Sequence, residues 1–257
     1  MPDALTPEVP EEVEAFISRW ERSQASERAN GQAFLIELCG LLGVEAPAPA
    51  TGDVQADAYR FERPIQFSDG TKGTGFADLY KRGAFVLETK QGVDEDRKKA
   101  GKKQRRGHGT RGTNAWETTM EAARNQAEGY ARNLESGEPI PPFVVASDVG
   151  YCFDLFADFS GTGRVYVPFP APGTNRILLG DLRQSDVRER LRLLFEDPAS
   201  LDPSLYQAGV TQDLAVRLAR LAASLEEDGT DPEAIAGFLS RCLFCLFAED
   251  AGLIEDD

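Results

Sequence analysis

Asp78, Glu88 and Lys90 are the residues of this chain whose types and spacing could do chemistry together. Glu88-Thr89-Lys90 closes the run Ala84–Lys90, which reads as a β-strand. Strand side chains alternate between faces, so Glu88 and Lys90 project from one side and Leu87 from the other. Asp78 lies ten residues before Glu88 in the strand-like run 73–80. Lys81-Arg82-Gly83 reads as the turn of a hairpin that sets Asp78 beside Glu88. Two carboxylates so placed repel each other and resist desolvation unless a cation sits between them. Mg²⁺ suits that position, because it takes hard oxygen ligands and keeps waters for a substrate phosphate. The Thr89 carbonyl could supply a further oxygen. Lys90 is a compact charge able to hold a water near the metal or to stabilise charge developing on a phosphate. That is a sufficient kit for hydrolysing a phosphodiester. The competing explanation is a surface hairpin with solvated or cross-strand-paired charges. Phe76, Leu79, Phe85, Val86 and Leu87 argue against it, because they make the hairpin a core element.

The surrounding elements must position these groups. Thr6-Pro7 reads as a helix start, and Val13, Phe16, Ile17 and Trp20 recur at helical spacing. Ser26 can cap a second helix that buries Phe34, Leu35, Leu38, Leu41 and Leu42 and ends at Gly43. Strands are expected over 59–67, 73–80 and 84–90. Asn114 reads as the cap of a long helix with Met120, Ala123, Ala127, Tyr130 and Leu134 on one stripe. Strands 143–147 and 151–159 follow, joined by an Asp148-Val149-Gly150 turn, with an edge strand over 163–167. From about 185 the pattern is helical only, with Thr211 and Asp231-Pro232 as helix starts. The expected fold is α+β, a mixed sheet with flanking helices over 1–183 and an all-helical segment over 184–257.

The 257 residues carry a net charge of −15, which argues against a general polyanion binder. Locally the sign reverses. Residues 97–112 hold Arg97, Lys98, Lys99, Lys102, Lys103, Arg105, Arg106 and Arg111, eight of the 28 basic residues. With glycines interspersed and no apolar anchor, this stretch reads as a mobile loop able to neutralise DNA phosphates. Only six residues separate it from Lys90, so it emerges beside the acidic pair. No stretch is long and apolar enough to span a membrane, the N-terminus lacks a secretory pattern, and four cysteines are too few for a disulfide scaffold. The expected compartment is the cytoplasm.

Phe76-Ala77-Asp78-Leu79-Tyr80 followed by Phe85-Val86-Leu87-Glu88-Thr89-Lys90 resembles the Asp-x9-Glu-x-Lys nuclease core of MmeI-like restriction–modification enzymes. Trp20, Glu27, the run Phe34–Leu38, Gln126-Ala127, Tyr130 and the run Leu243–Asp250 extend the similarity over nearly the whole chain. The front part of DISARM-type phage-defence DNA methyltransferases is similar as well. The resemblance implies a restriction-endonuclease-like, PD-(D/E)xK fold followed by a helical spacer. It implies metal binding by Asp78 and Glu88, with Glu27 as an additional acidic residue near the metal. It implies Lys90 as the completing catalytic group and Gln126 near the site. It implies a Mg²⁺-dependent endonuclease acting on double-stranded DNA, or else a catalytically silent DNA-binding module of an adenine-specific DNA methyltransferase. Family members continue into methyltransferase and target-recognition domains. This chain has neither an S-adenosylmethionine loop nor an Asn-Pro-Pro-Tyr motif and stops at Asp257, so those parts are expected elsewhere in the same or an adjacent chain.

Weaker signals have simpler explanations. Cys242-x2-Cys245 is half a zinc site at most, and core packing explains it better. His108 sits among glycines and reads as a bystander. Asp148, Asp154 and Asp158 are accounted for by turns and strand edges, and Trp116 and Tyr130 by packing.

Overall fold

The computed structural model describes residues 9–23, 27–53, 57–67, 73–94, 109–227 and 231–250; the side chains at 27–29, 206–215, 227 and 246–250 are outside that description. Thr6-Pro7, Ser26, His108 and the basic residues from Arg97 to Arg106 therefore lie outside the described residues. The chain divides into two compact units, 1–201 and 202–257.

The first unit is built on a mixed sheet. Its strands are β1 (Tyr59–Gln66), β2 (Thr74–Lys81), β3 (Phe85–Lys90), β4 (Phe143–Asp148), β5 (Cys152–Ala157), β6 (Val167–Pro168) and β7 (Arg176–Leu178). They run in the order β1-β2-β3-β4-β5-β6, with β7 also on β5. Every pairing is antiparallel except β3 with β4. That parallel pair needs a crossover, and α3 (Asn114–Arg132) provides it. The architecture is α+β, a mixed sheet with helices on its faces.

Three helices share one face: α1 (Glu11–Glu21), α2 (Glu27–Leu42) and α4 (Ser185–Glu196). Phe16, Trp20 and Phe34 from α1 and α2 form an aromatic cluster that stacks on Phe153 of β5. The same core takes in Leu79, Phe85, Leu87 and Val145 from the strands and Leu191, Leu194 and Phe195 from α4. On the opposite face α3 buries Met120, Ala123, Ala127, Tyr130 and Ala131 against Tyr80, Val86, Val144 and Ala146. The second unit contains α5 (Pro203–Glu227) and α6 (Pro232–Asp250).

Local chemistry sets the ends. Pro10, extended at ψ 137°, precedes α1, and Glu11, Glu12 and Glu14 fill its first turn, where the helix dipole favours acids. Thr113, not Asn114, caps α3, its hydroxyl accepting from the Trp116 N–H; Asn114 is the first helical residue. Asp231 accepts from Ala234 N–H and opens α6 as expected. Thr211 starts nothing, since α5 runs through it from Pro203. The expected edge strand over 163–167 is realised only as Val167–Pro168, and β7 was not foreseen. Both are too short to show a period. Among the described residues no helix is long and apolar enough to cross a membrane.

The β2–β3 hairpin determines the site. Its ladder pairs Lys81 with Phe85, Tyr80 with Val86 and Leu79 with Leu87. Ala84 N–H donates to the Lys81 carbonyl at 3.1 Å, and Gly83 takes φ +69°, which a side chain would resist. On its other edge β2 pairs with β1 on both sides of Glu62 and Asp78, yet those two residues are not paired. Glu62 has φ +51°. Ala77 packs on the α3 side and Leu79 on the α2 side, although residues two apart in a strand ordinarily share a face. The β1–β2 pairing is therefore interrupted at Glu62 and Asp78 without any residue being inserted on either strand.

Candidate active site

The regular β2–β3 ladder ends at Leu79–Leu87, and the next pair is linked by side chains instead of backbone. Asp78 N–H donates to Glu88 Oε1 at 3.3 Å. Asp78 Oδ2 accepts from the Thr89 N–H at 2.6 Å and from the Thr89 hydroxyl at 2.7 Å. Lys90 Nζ lies 3.5 Å from Glu88 Oε2. The four residues Asp78, Glu88, Thr89 and Lys90 thus form one contiguous group, as their spacing predicted.

Burial differs sharply within it. Glu88 is 1% exposed, Thr89 is buried, and Asp78 and Lys90 are half-buried. Burial, reinforced by the neighbouring Asp78 charge, pushes the Glu88 carboxyl up to about 8; Lys90 and the Asp78 N–H act in the opposite direction. So raised, Glu88 keeps its proton at neutral pH, and its ionisation beside Asp78 calls for positive charge beyond that of Lys90. A divalent cation bound to both carboxylates would supply it, so the donor set fits a hard, oxygen-seeking metal. A cavity of about 250 Å³ opens beside Asp78 and Thr89, walled by Gly31, Gln32 and Leu35 of α2 and by Phe61 and Glu62 of β1. Gly31 lies against Thr89, where a Cβ would make ordinary contact with the hydroxyl at 3.4 Å.

The other expected site residues fall in different places. Gln126 is exposed on α3, and its amide donates to the Tyr130 hydroxyl at 3.0 Å. Tyr130 itself is 5% exposed in the α3-side core, where burial foremost and the charges of Glu88 and Asp78 in part raise its hydroxyl. Glu27 is the first residue of α2, and its side chain lies outside the described residues. No cluster of three or more His, Cys, Asp or Glu side chains occurs among the described residues.

Arg111 departs from the expectation of a solvent-facing DNA contact. Its guanidinium grips Asp148 at 2.9 and 3.0 Å, pairs with Asp94 at 3.1 Å and lies 4.6 Å over the Tyr151 ring. The adjoining Val93–Thr110 bridge ties the two sides of the basic segment together three residues past Lys90. Cys242 is half-buried and Cys245 exposed, both free, so neither sits in the core that the sequence suggested for them. Asp158 caps a turn through Ser160 and Thr162, as expected. Asp154 is more than an edge residue, since it holds Arg176 through two hydrogen bonds at 2.7 Å.

Sequence reasoning missed Asp148 and Glu62. Asp148, fully buried, is the register partner of Lys90 on β4 and accepts four hydrogen bonds. Its only sequence signal was a turn-forming Asp-Val-Gly. Glu62 gave no signal, because nothing in Arg60–Pro64 announces a positive φ.

A family described as MmeI, N-terminal domain, matches residues 8–228. No curated protein and no solved structure matches the chain.

Proposed function

The chain belongs to the MmeI N-terminal domain family of restriction–modification enzymes, and from that premise we propose that its acid–acid–lysine group is a Mg²⁺-dependent nuclease site for double-stranded DNA. The observation that carries the proposal is the meeting of Asp78, Glu88 and Lys90, with 3.3 Å from Asp78 N to Glu88 Oε1 and 3.5 Å from Lys90 Nζ to Glu88 Oε2. A three-stranded antiparallel run followed by a helical crossover to a parallel strand supports the PD-(D/E)xK assignment of the fold.

In this reading Asp78 and Glu88 would hold the metal, with the Thr89 carbonyl as a third oxygen and Glu27 as an additional acid. When bound, Mg²⁺ supplies Lewis-acid polarisation of a phosphate and lowers the pKa of a water. Lys90 orients the attacking water and offsets the negative charge that develops on the phosphate oxygens. Thr89 fixes the Asp78 carboxylate through its N–H and hydroxyl. Gln126, supported by Tyr130, contacts the DNA backbone beside the scissile bond. Arg97, Lys98, Lys99, Lys102, Lys103, Arg105 and Arg106 supply sequence-independent phosphate contacts, because the chain leaves and re-enters the fold beside Lys90. Base readout and S-adenosylmethionine-dependent methylation belong to target-recognition and methyltransferase domains in the same or an adjacent chain. The activity is placed in the cytoplasm, as part of phage defence.

A second reading, a silent DNA-binding module, is favoured by one observation: no third acidic or histidine ligand joins the pair among the described residues. One experiment separates the two. The chain is incubated with plasmid DNA and Mg²⁺, and Lys90→Ala and Asp78→Asn are run in parallel. Metal-dependent nicking that both substitutions abolish establishes the nuclease. DNA retention without nicking, unchanged by either substitution, establishes the silent module.

A further inference from the structure

We propose that Asp148 is the positioning residue of Lys90, acting through a closed set of hydrogen bonds to Gly92, Arg111 and Trp116. The kinetic arm of this proposal rests on the nuclease reading; its spectroscopic arm does not.

Lys90 and Asp148 are the last residues of the parallel strands β3 and β4 and are paired in register. The Lys90 carbonyl accepts from the Val149 N–H at 2.9 Å. Two residues on, the Gly92 N–H donates to Asp148 Oδ1 at 3.0 Å. On the other side of Lys90, the Thr89 N–H is held by Asp78. The backbone of Lys90 is thus fastened before, at and after the residue.

Asp148 is itself saturated. Oδ1 also accepts from Arg111 at 2.9 Å, and Oδ2 accepts from Arg111 Nε at 3.0 Å and from the Trp116 indole at 2.8 Å. An oxygen pair that already accepts four N–H groups, one pair of them cationic, has little capacity left for a metal or a proton. Asp148 therefore acts through its neighbours and not on a substrate. The fit is tight: a Cβ on Gly92 would come within 2.6 Å of Asp148 Oδ2 and 2.9 Å of both Arg111 Cγ and Trp116 Cδ1. Gly92 is the residue that lets the backbone just past β3 close on the Asp148 carboxylate.

The test compares the full chain with Asp148→Asn and Trp116→Phe, each below its own melting temperature. Trp116→Phe deletes one donor to Asp148 and keeps an aromatic ring, so it folds where Asp148→Asn does not. Plasmid nicking in Mg²⁺ gives kcat and the DNA KM. The ¹³C resonance of dimethylated Lys90, assigned with Lys90→Arg, reports the side chain directly. The expected result is a fall in kcat of about 10–100-fold for Asp148→Asn and about tenfold for Trp116→Phe, with KM unchanged and the Lys90 resonance displaced in both. Lower melting temperatures with kcat and the Lys90 resonance as in the parent chain would overturn the proposal, since a purely structural role predicts that. If the parent chain nicks no DNA, the nuclease reading fails, and the Lys90 resonance alone decides: displaced in both variants supports the proposal, unmoved refutes it.

Discussion

The carboxylate of Asp78 accepts both the amide hydrogen and the hydroxyl hydrogen of Thr89, at 2.6 and 2.7 Å. A candidate metal ligand thereby takes the place of a backbone carbonyl at the point where the β2–β3 ladder stops. Thr89→Val removes the hydroxyl and keeps the shape. It should cost about 1 kcal/mol in urea unfolding and reduce nicking, whereas Thr89→Ser restores both. Equal nicking by the Val variant would show that the Asp78 orientation does not depend on this hydroxyl.

Glu88 makes stability depend on pH in a direction unusual for an acid. Its carboxyl is raised to about 8 in the fold by burial and by Asp78, against an ordinary value of 4.5. The folded chain therefore keeps a proton that the unfolded chain has released. The contribution is fully present below about pH 4.5 and is lost as pH rises through about 8. In metal-free buffer Glu88→Gln should gain on the parent chain between pH 5 and pH 8, on the order of 1–3 kcal/mol. Parallel stability curves across that range would contradict the placement of Glu88.

Metal should reverse the penalty. At pH 8, saturating Mg²⁺ or Mn²⁺ should raise the melting temperature, with about 2.7 kcal/mol expected at a hundredfold excess over Kd. Asp78→Asn and Glu88→Gln should each abolish the rise. Calorimetric titration of the ion into the same three proteins checks the assignment without DNA.

The basic residues should separate into two classes. Neutralising Arg97, Lys98, Lys99, Lys102, Lys103, Arg105 and Arg106 should flatten the salt dependence of DNA binding, by about 0.9 in log–log slope for each phosphate no longer neutralised. Arg111→Gln should instead lower stability by about 3–5 kcal/mol, because it strands the buried Asp148 charge. Filter binding at several salt concentrations and urea unfolding of the two variants make the distinction.

Gly150 is a close contact between the β4–β5 turn and α1. It has φ +75°, and a Cβ there would lie 2.5 Å from the Trp20 carbonyl oxygen. Gly150→Ala should destabilise the fold by about 1–3 kcal/mol, read by thermal unfolding, while leaving metal binding intact.

Much of this was legible because it was local. The Asp78–Glu88 spacing and the turn at Lys81–Gly83 gave the hairpin and its registered acids. The stripe Met120–Ala123–Ala127–Tyr130 gave α3 and its buried face, and Gly43, at φ +68°, marked the end of α2. The rest depended on distant partners. Alternation alone could not show that the β1–β2 ladder is interrupted at Glu62 and Asp78. Arg111 looked like one more charge in a basic run, because its partners, Asp148 and Tyr151, lie across a helix and a strand. β7 has three residues, fewer than any period needs, and is held by its pairing with β5.

The Val93–Thr110 bridge, with Val93 N–H donating to Gly109 O and Arg111 N–H to Val93 O, closes a neck at the rim of the sheet. A segment spliced between Asp94 and Gly109 leaves and returns through that neck. Lengthening such an insert costs little, because closure entropy grows only with the logarithm of its size. The neck is thus a port for exchange: a fluorescent reporter or a foreign recognition peptide grafted there would ride beside Lys90 while the sheet folds as before.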